Sequence, residues 1–261
     1  MISKVTEKLI QIHMEELENC RFFADVMADF LKWCGDAYIF GTWGPQDLTE
    51  LQRNMRFFGM DPLGRGPFQF YDIQKLFSLS FEDGKSRRSL EYAVDFLHLE
   101  KDVPFHRAVS DAYYTAKVLQ QIRDPQILQK FSFDTFTLPD HYKNEIHVVF
   151  GDYEKYISRG FDDKESLMAD REVSATKCFL CHRNIRKKIR WFSPNSKHYY
   201  SVSYCDKHGY MKGKIRIRKS EDDRVYAVKT TKFVSEAQVE AIWNKRERVR
   251  QLRREKKQQK K

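Results

Sequence analysis

At 261 residues, against roughly 150 residues per domain, the chain has room for one large domain or two unequal ones. Its composition, 41% apolar and 32% charged, excludes a disordered chain; no run approaches the ~18 apolar residues of a membrane span, and the first fifteen residues lack the apolar block of a secretory signal. The net charge of +10 is unevenly divided: residues 1–170 carry 20 Lys and Arg against 28 Asp and Glu, and residues 171–261 carry 27 against 9.

Phe22, Phe23, Val26, Met27, Phe30 and Leu31 recur at helical spacing and predict an amphipathic helix over roughly 20–34. Residues 37–43, Ala-Tyr-Ile-Phe-Gly-Thr-Trp, read as a buried strand. Pro45 suits the first turn of a helix carrying Leu48, Leu51, Met55 and Phe58, with Gly59 as its stop. Residues 68–73 form a second expected strand, followed by a helix with Leu76, Phe77 and Leu79. Ser89 is placed to cap the next helix, and another runs from about Arg107 through Leu119. Strands alternating with helices imply an α/β domain with parallel pairing, ending near residue 131. Residues 132–176 read as an irregular, aromatic-rich connector.

Beyond Cys178 the pattern becomes all-β, with short strands expected at 189–192, 198–203, 214–218 and 225–230. This module spans 177–233. Ser235 with Gln238 resembles a capping box opening a helical tail, 234–261. From Asn244 onward that tail holds ten Lys and Arg and two Glu. A region with this cationic excess attracts polyanions, nucleic acid first.

The five cysteines are Cys20, Cys34, Cys178, Cys181 and Cys205. An odd number without an export signal points to a reduced, cytoplasmic protein, where clustered cysteines are metal ligands or core thiols. Cys178 and Cys181 form one pair with two residues between them, and Cys205 and His208 form another. Two such pairs on tight turns suit tetrahedral zinc, with all four positions filled by protein and a structural role. His182 and His198 are further possible ligands. The resulting module resembles a zinc ribbon or knuckle. Within it lie Trp191, Phe192, Tyr199, Tyr200, Tyr204 and Tyr210 among many Lys and Arg. That mixture suits single-stranded nucleic acid, cations binding phosphates and rings stacking bases, although about half the rings are needed as core.

The run from His106 to Ala116 is His-Arg-Ala-Val-Ser-Asp-Ala-Tyr-Tyr-Thr-Ala. It resembles the third motif of the DEDDh 3′–5′ exonucleases, the DnaQ-like enzymes. Trp43-Gly-Pro-Gln-Asp47-Leu48 is similar to the second motif in the branch of ERI-type and KapD-like proteins, and Ser89-Leu-Glu-Tyr-Ala93 also matches the family. The resemblance covers roughly residues 1–125. It implies an RNase H-like exonuclease domain over 1–131, a two-metal site using Mg²⁺ or Mn²⁺, Asp47 and Asp111 as metal ligands, and His106 as general base. It also implies a nucleic-acid 3′ end as substrate. The chemistry is coherent: phosphodiester hydrolysis needs the phosphate charge neutralised and a water activated, and a histidine near neutrality suits the proton transfer.

The family's first motif, Asp-x-Glu on a central strand, has no equivalent here. Glu16-Leu17-Glu18 begins with the wrong residue, and Asp163-Lys164-Glu165 follows the third motif in a polar stretch. The sequence therefore reads as a family member without its first three strands. Such a chain is expected to hold divalent ions weakly, to be inactive unless that strand is supplied, and to expose a bare apolar edge along residues 37–43. The other reading open to it is a non-catalytic, zinc-containing nucleic-acid-binding protein.

Overall fold

The structure, a computed structural model, describes residues 20–259. Two compact units divide between Thr137 and Leu138. Together they make a mixed α/β protein with two sheets. Among the described residues no helix is long and apolar enough to cross a membrane.

In the first unit, α1 (Phe23–Cys34) precedes β1 (Phe40–Thr42), α2 (Gln46–Phe57) and β2 (Gln69–Asp72). Then come α3 (Ile73–Phe81), α4 (Leu90–Phe96), α5 (Ala108–Gln121), α6 (Pro125–Leu128) and β3 (Ser132–Phe133). The strand order is β1-β2-β3, with β1 parallel and β3 antiparallel to β2. Chain chemistry sets the helix starts. The Asp72 side chain accepts the Lys75 N–H to cap α3, and the Ser89 hydroxyl accepts that of Tyr92 to cap α4. The core is Ile73, Phe77, Leu90, Ala93, Val94, Tyr114 and Val118.

Two expectations are corrected here. The strand at 37–43 is only three residues long, because just Phe40, Gly41 and Thr42 find partners on β2. It is also not buried: Tyr38 and Ile39 are 44% and 47% exposed. β1 lies at the edge of the described sheet, so its apolar run does not signal enclosure. Phe22, Trp33 and Phe57 add to the exposed aromatic surface of this unit.

The second unit is a six-stranded, wholly antiparallel sheet of order β4-β5-β9-β8-β7-β6. Its strands are β4 (Ile146–Phe150), β5 (Tyr153–Ile157), β6 (Arg186–Phe192), β7 (His198–Cys205), β8 (Gly209–Lys219) and β9 (Val225–Phe233). The helices α7 (Lys164–Ala169) and α8 (Arg171–Ser174) bring Leu167 and Val173 against Tyr156, Ile215, Ile217 and Ala227 on one face. On the other face α9 (Glu236–Gln258) sets Ile242 against Ile189 and Val202. Ser235 and Gln238 form the expected capping box at its start. Gly213 is required where Trp191 crosses β8, since a Cβ there would stand 2.6 Å from the indole ring.

The stretch 132–176 is thus not a connector. β3 joins the first sheet, and β4 and β5 join the second by pairing with β9. Buried Glu145 locks the second segment in place. Its carboxylate accepts the Tyr156 hydroxyl at 2.9 Å and the Arg159 guanidinium at 2.8 Å, and Arg159 also reaches Asp170 at 2.9 Å. The cysteine-bearing strands therefore share one sheet with residues 146–157, and the module expected over 177–233 does not stand alone.

Candidate acidic cleft and metal centre

In the first unit a cleft of about 780 Å³ opens at the end of β1. It is lined by Thr42 and Trp43 from β1 and the turn after it, Asp47 from α2, Ser89 and Glu91 from the start of α4, and His106, Asp111 and Thr115 around α5. All three residues expected from the motifs face this one space. Asp47 and Asp111 sit in the first turns of α2 and α5, where the helix dipole favours negative charge. Asp47 is open to solvent, yet protein around its carboxyl removes enough water to push its pKa up. The nearby charge of Asp111 pushes the same way, and a backbone bond from Trp43 opposes both. A carboxyl pushed up by a neighbouring carboxylate is suited to a cation.

Two contacts fix the loop that carries His106. The buried Tyr114 hydroxyl donates to the Val103 carbonyl at 2.7 Å and accepts the Val103 N–H at 3.0 Å. Phe105 stacks on the Tyr114 ring at 4.5 Å. His106 itself has φ 69°, left-handed backbone that costs a non-glycine residue roughly 1–2 kcal/mol. Its N–H is pinned by the Asp111 carboxylate at 3.2 Å, and its imidazole is left exposed. Trp43 has a packing role: its indole lies on Phe77, and its N–H donates to the Arg88 carbonyl at 3.1 Å, anchoring the loop before Ser89.

Glu91 was not among the expected site residues. It was legible only as part of the 89–93 run, and its nearest cation is Lys101 at 3.5 Å. Of the acidic runs set aside, Asp163 caps α7 in the second unit by accepting the Ser166 N–H at 2.7 Å. Glu16 and Glu18 lie outside the described residues.

In the second unit Cys178, Cys181, Cys205 and His208 bring their ligand atoms within 4.8 Å of one another, a group that could hold a metal ion such as zinc. Two turns make it. After Cys178 the chain folds back so that the His182 N–H meets the Cys178 carbonyl at 2.7 Å, with His182 at φ 57°. Cys205 ends β7 and pairs with Gly209, whose φ of 85° lets β8 begin at once. Three spacings within the group fit a tetrahedral ion. Bonds of about 2.3 Å to sulfur and about 2.0 Å to nitrogen place two sulfurs about 3.8 Å apart, and a sulfur and a nitrogen about 3.5 Å apart. The Cys181 and Cys205 sulfurs are 3.7 Å apart, and His208 Nδ1 is 3.3 Å from Cys178 Sγ and 3.6 Å from Cys205 Sγ.

Backbone N–H groups aim at the thiols. That of Arg183 leads in lowering the Cys181 pKa. At Cys205 burial raises the pKa, but the N–H groups of Lys207 and His208 and the His208 ring outweigh it. Burial leads at Cys178 and raises its thiol. Phe179, Met211 and Phe233 pack around the ligands. Neither His182 nor His198 belongs to this group; the His198 ring meets the Asn195 amide at 3.2 Å instead.

No protein-family model matches this chain, and neither a curated protein nor a solved structure does.

Proposed function

We propose that the first unit is an RNase H-like, 3′–5′ exonuclease-type domain acting on nucleic acid, and that the second unit, stabilised by zinc, binds that substrate. The observation that carries this reading is the meeting of Asp47, Asp111 and His106, from separate elements, in one cleft. Asp47 and Asp111 would hold Mg²⁺ or Mn²⁺, which supply charge neutralisation at the phosphate and acidify the attacking water. His106 stands exposed at the cleft to take that water's proton. Its backbone is tied to Asp111 by the N–H, which leaves both ring nitrogens out of that bond.

A second reading rests on a specific observation. Among the described residues the cleft offers only Asp47, Glu91 and Asp111 as carboxylates. Hard divalent ions favour several converging oxygen ligands, so this cleft should bind them weakly. A nucleic-acid-binding protein without turnover fits that donor set. The deciding experiment is an assay with 3′-labelled and 5′-labelled single-stranded RNA and DNA at millimolar Mn²⁺. Slow, stepwise shortening from the 3′ end that is lost in Asp111→Asn supports the exonuclease. Equal background in both proteins, with oligonucleotide binding intact, selects the binding protein.

A further inference from the structure

The second sheet concentrates positive charge at a place the basic tail does not explain. Along β8 the side chains alternate. Met211, Ile215 and Ile217 are buried on one face; half-buried Lys212 and Lys214 and exposed Arg216 lie on the other, which α9 partly covers through Ile242 on Val202. Strand geometry sets the Cα atoms of these residues about 6.6 Å apart, a regular row comparable to the spacing of successive phosphates along an extended strand. The neighbours reinforce the row. Lys232 on β9 lies directly opposite Lys212, an arrangement that destabilises a sheet when the charges are alike.

From α9, Lys245 places its ammonium 4.2 Å from the centre of the Tyr200 ring, and Lys212 reaches the same ring at 5.4 Å. Burial, then Lys232, Lys214 and Lys245, all act to lower the Lys212 pKa, so no acid offsets them. None of these cations takes part in an ion pair among the described residues. Self-repulsion kept in a folded sheet is relieved by a bound polyanion.

The geometry points to this face of β8 and β9, bordered by α9, as a track for the sugar–phosphate backbone of single-stranded nucleic acid, with the Tyr200 ring beneath it. The assignment rests on the nucleic-acid reading above and deepens it, moving the main contact from the helical tail to the sheet. A single strand matches one straight row of cations, and the Tyr200 ring holds two of the ammonium groups beside it.

The test uses the full chain and a fluorescent oligothymidylate or oligouridylate, with affinity measured across a salt series. Each phosphate contact on a single strand contributes about 0.7 to the slope of log affinity against log salt. Substituting Lys212→Gln, Lys214→Gln and Lys232→Gln together should flatten that slope by about 2. Lys214→Gln alone, at a site with no ion pair to lose, should flatten it by about 0.7. Removing an equal number of tail charges, with Arg254→Gln, Lys256→Gln and Lys257→Gln, should change it far less. Equal losses from sheet and tail would overturn the track while leaving the nucleic-acid reading standing. Polyglutamate or a duplex of matched length binding as tightly as the single strand would also overturn it. No oligonucleotide binding by the unaltered chain would overturn both.

Discussion

The two units solve the problem of gathering charged side chains in opposite ways. In the second, each half of the metal group is a local turn. Cys178 and Cys181 flank one, Cys205 and His208 the other, and the β7–β8 register brings the halves together. In the first, His106 and Asp111 are neighbours at the start of α5, and only tertiary packing brings Asp47 from α2 to the same cleft. The thiolate group is soft, closed and built of backbone turns; the carboxylate cleft is hard, open and dependent on tertiary packing. Damage should therefore fall on different properties in the two units: on stability in the second, and on chemistry in the first.

The largest expected effect is at the metal group. Cys181→Ser, or a strong chelator, should remove about one equivalent of zinc, read by metal analysis. It should also destabilise the second unit by several kcal/mol. That loss stays below the ~10–16 kcal/mol of isolated zinc fingers, because the core around Tyr156, Leu167 and Ile215 does not use the metal. Calorimetry should show the first unit's transition unmoved. Next is His106→Asn. If turnover is detected, this change should slow it ~10²–10⁴-fold, the range for loss of a general base, with Mn²⁺ affinity unchanged. A large loss of Mn²⁺ binding would instead make His106 a ligand.

A smaller effect is expected from Tyr114→Phe, which strands the Val103 N–H and carbonyl that the hydroxyl satisfies. A cost of ~1–3 kcal/mol follows for the first unit. Because the same hydroxyl holds the loop carrying His106, any turnover should fall further than folded fraction alone explains. A loss limited to stability would mean that the loop is held by Phe105 instead.

The last effect, similar in size to the Tyr114 loss, is a pH dependence. The Lys229 ammonium is buried and donates to the carbonyls of Glu172 at 2.8 Å and Val173 at 3.2 Å. Burial still brings its pKa down to about 8, against about 10.4 in an unfolded chain. Between those values the unfolded state binds more protons, so stability attributable to this residue rises with pH from about 8 to about 10.4 and is flat below. Denaturant titrations should show that rise in the unaltered protein relative to Lys229→Met. A difference that is constant with pH would contradict it.

How much of this the sequence discloses depends on the range of the contacts. Cys178, Cys181, Cys205 and His208 are legible because their pairs are local, and so is the Ser235–Gln238 box. The β4–β5 hairpin was missed although it carries a signal: Gly151-Asp152 is a two-residue turn between apolar runs. Buried Glu145 hid the order before it, and Asp134 hid that at the end of the first unit, since each is satisfied by partners that only the fold supplies. The apolar run at 37–43 misled for the converse reason, because apolar residues at a sheet edge look the same in sequence as enclosed ones. On β8 the alternation of Lys212, Lys214 and Arg216 with apolar residues marks two faces, but not which of them α9 covers.

The contrast between a soft site and a hard site is tested most directly by measuring both metals in both variants. Zinc content and Mn²⁺ binding, the latter by electron paramagnetic resonance, would be followed in the unaltered chain, Cys181→Ser and Asp111→Asn. The expected result is a clean crossing. Cys181→Ser loses zinc and keeps weak Mn²⁺ binding, and Asp111→Asn keeps zinc and loses Mn²⁺. Mn²⁺ binding indifferent to Asp111→Asn would contradict the assignment of the cleft, and full zinc retention in Cys181→Ser would contradict that of the metal group.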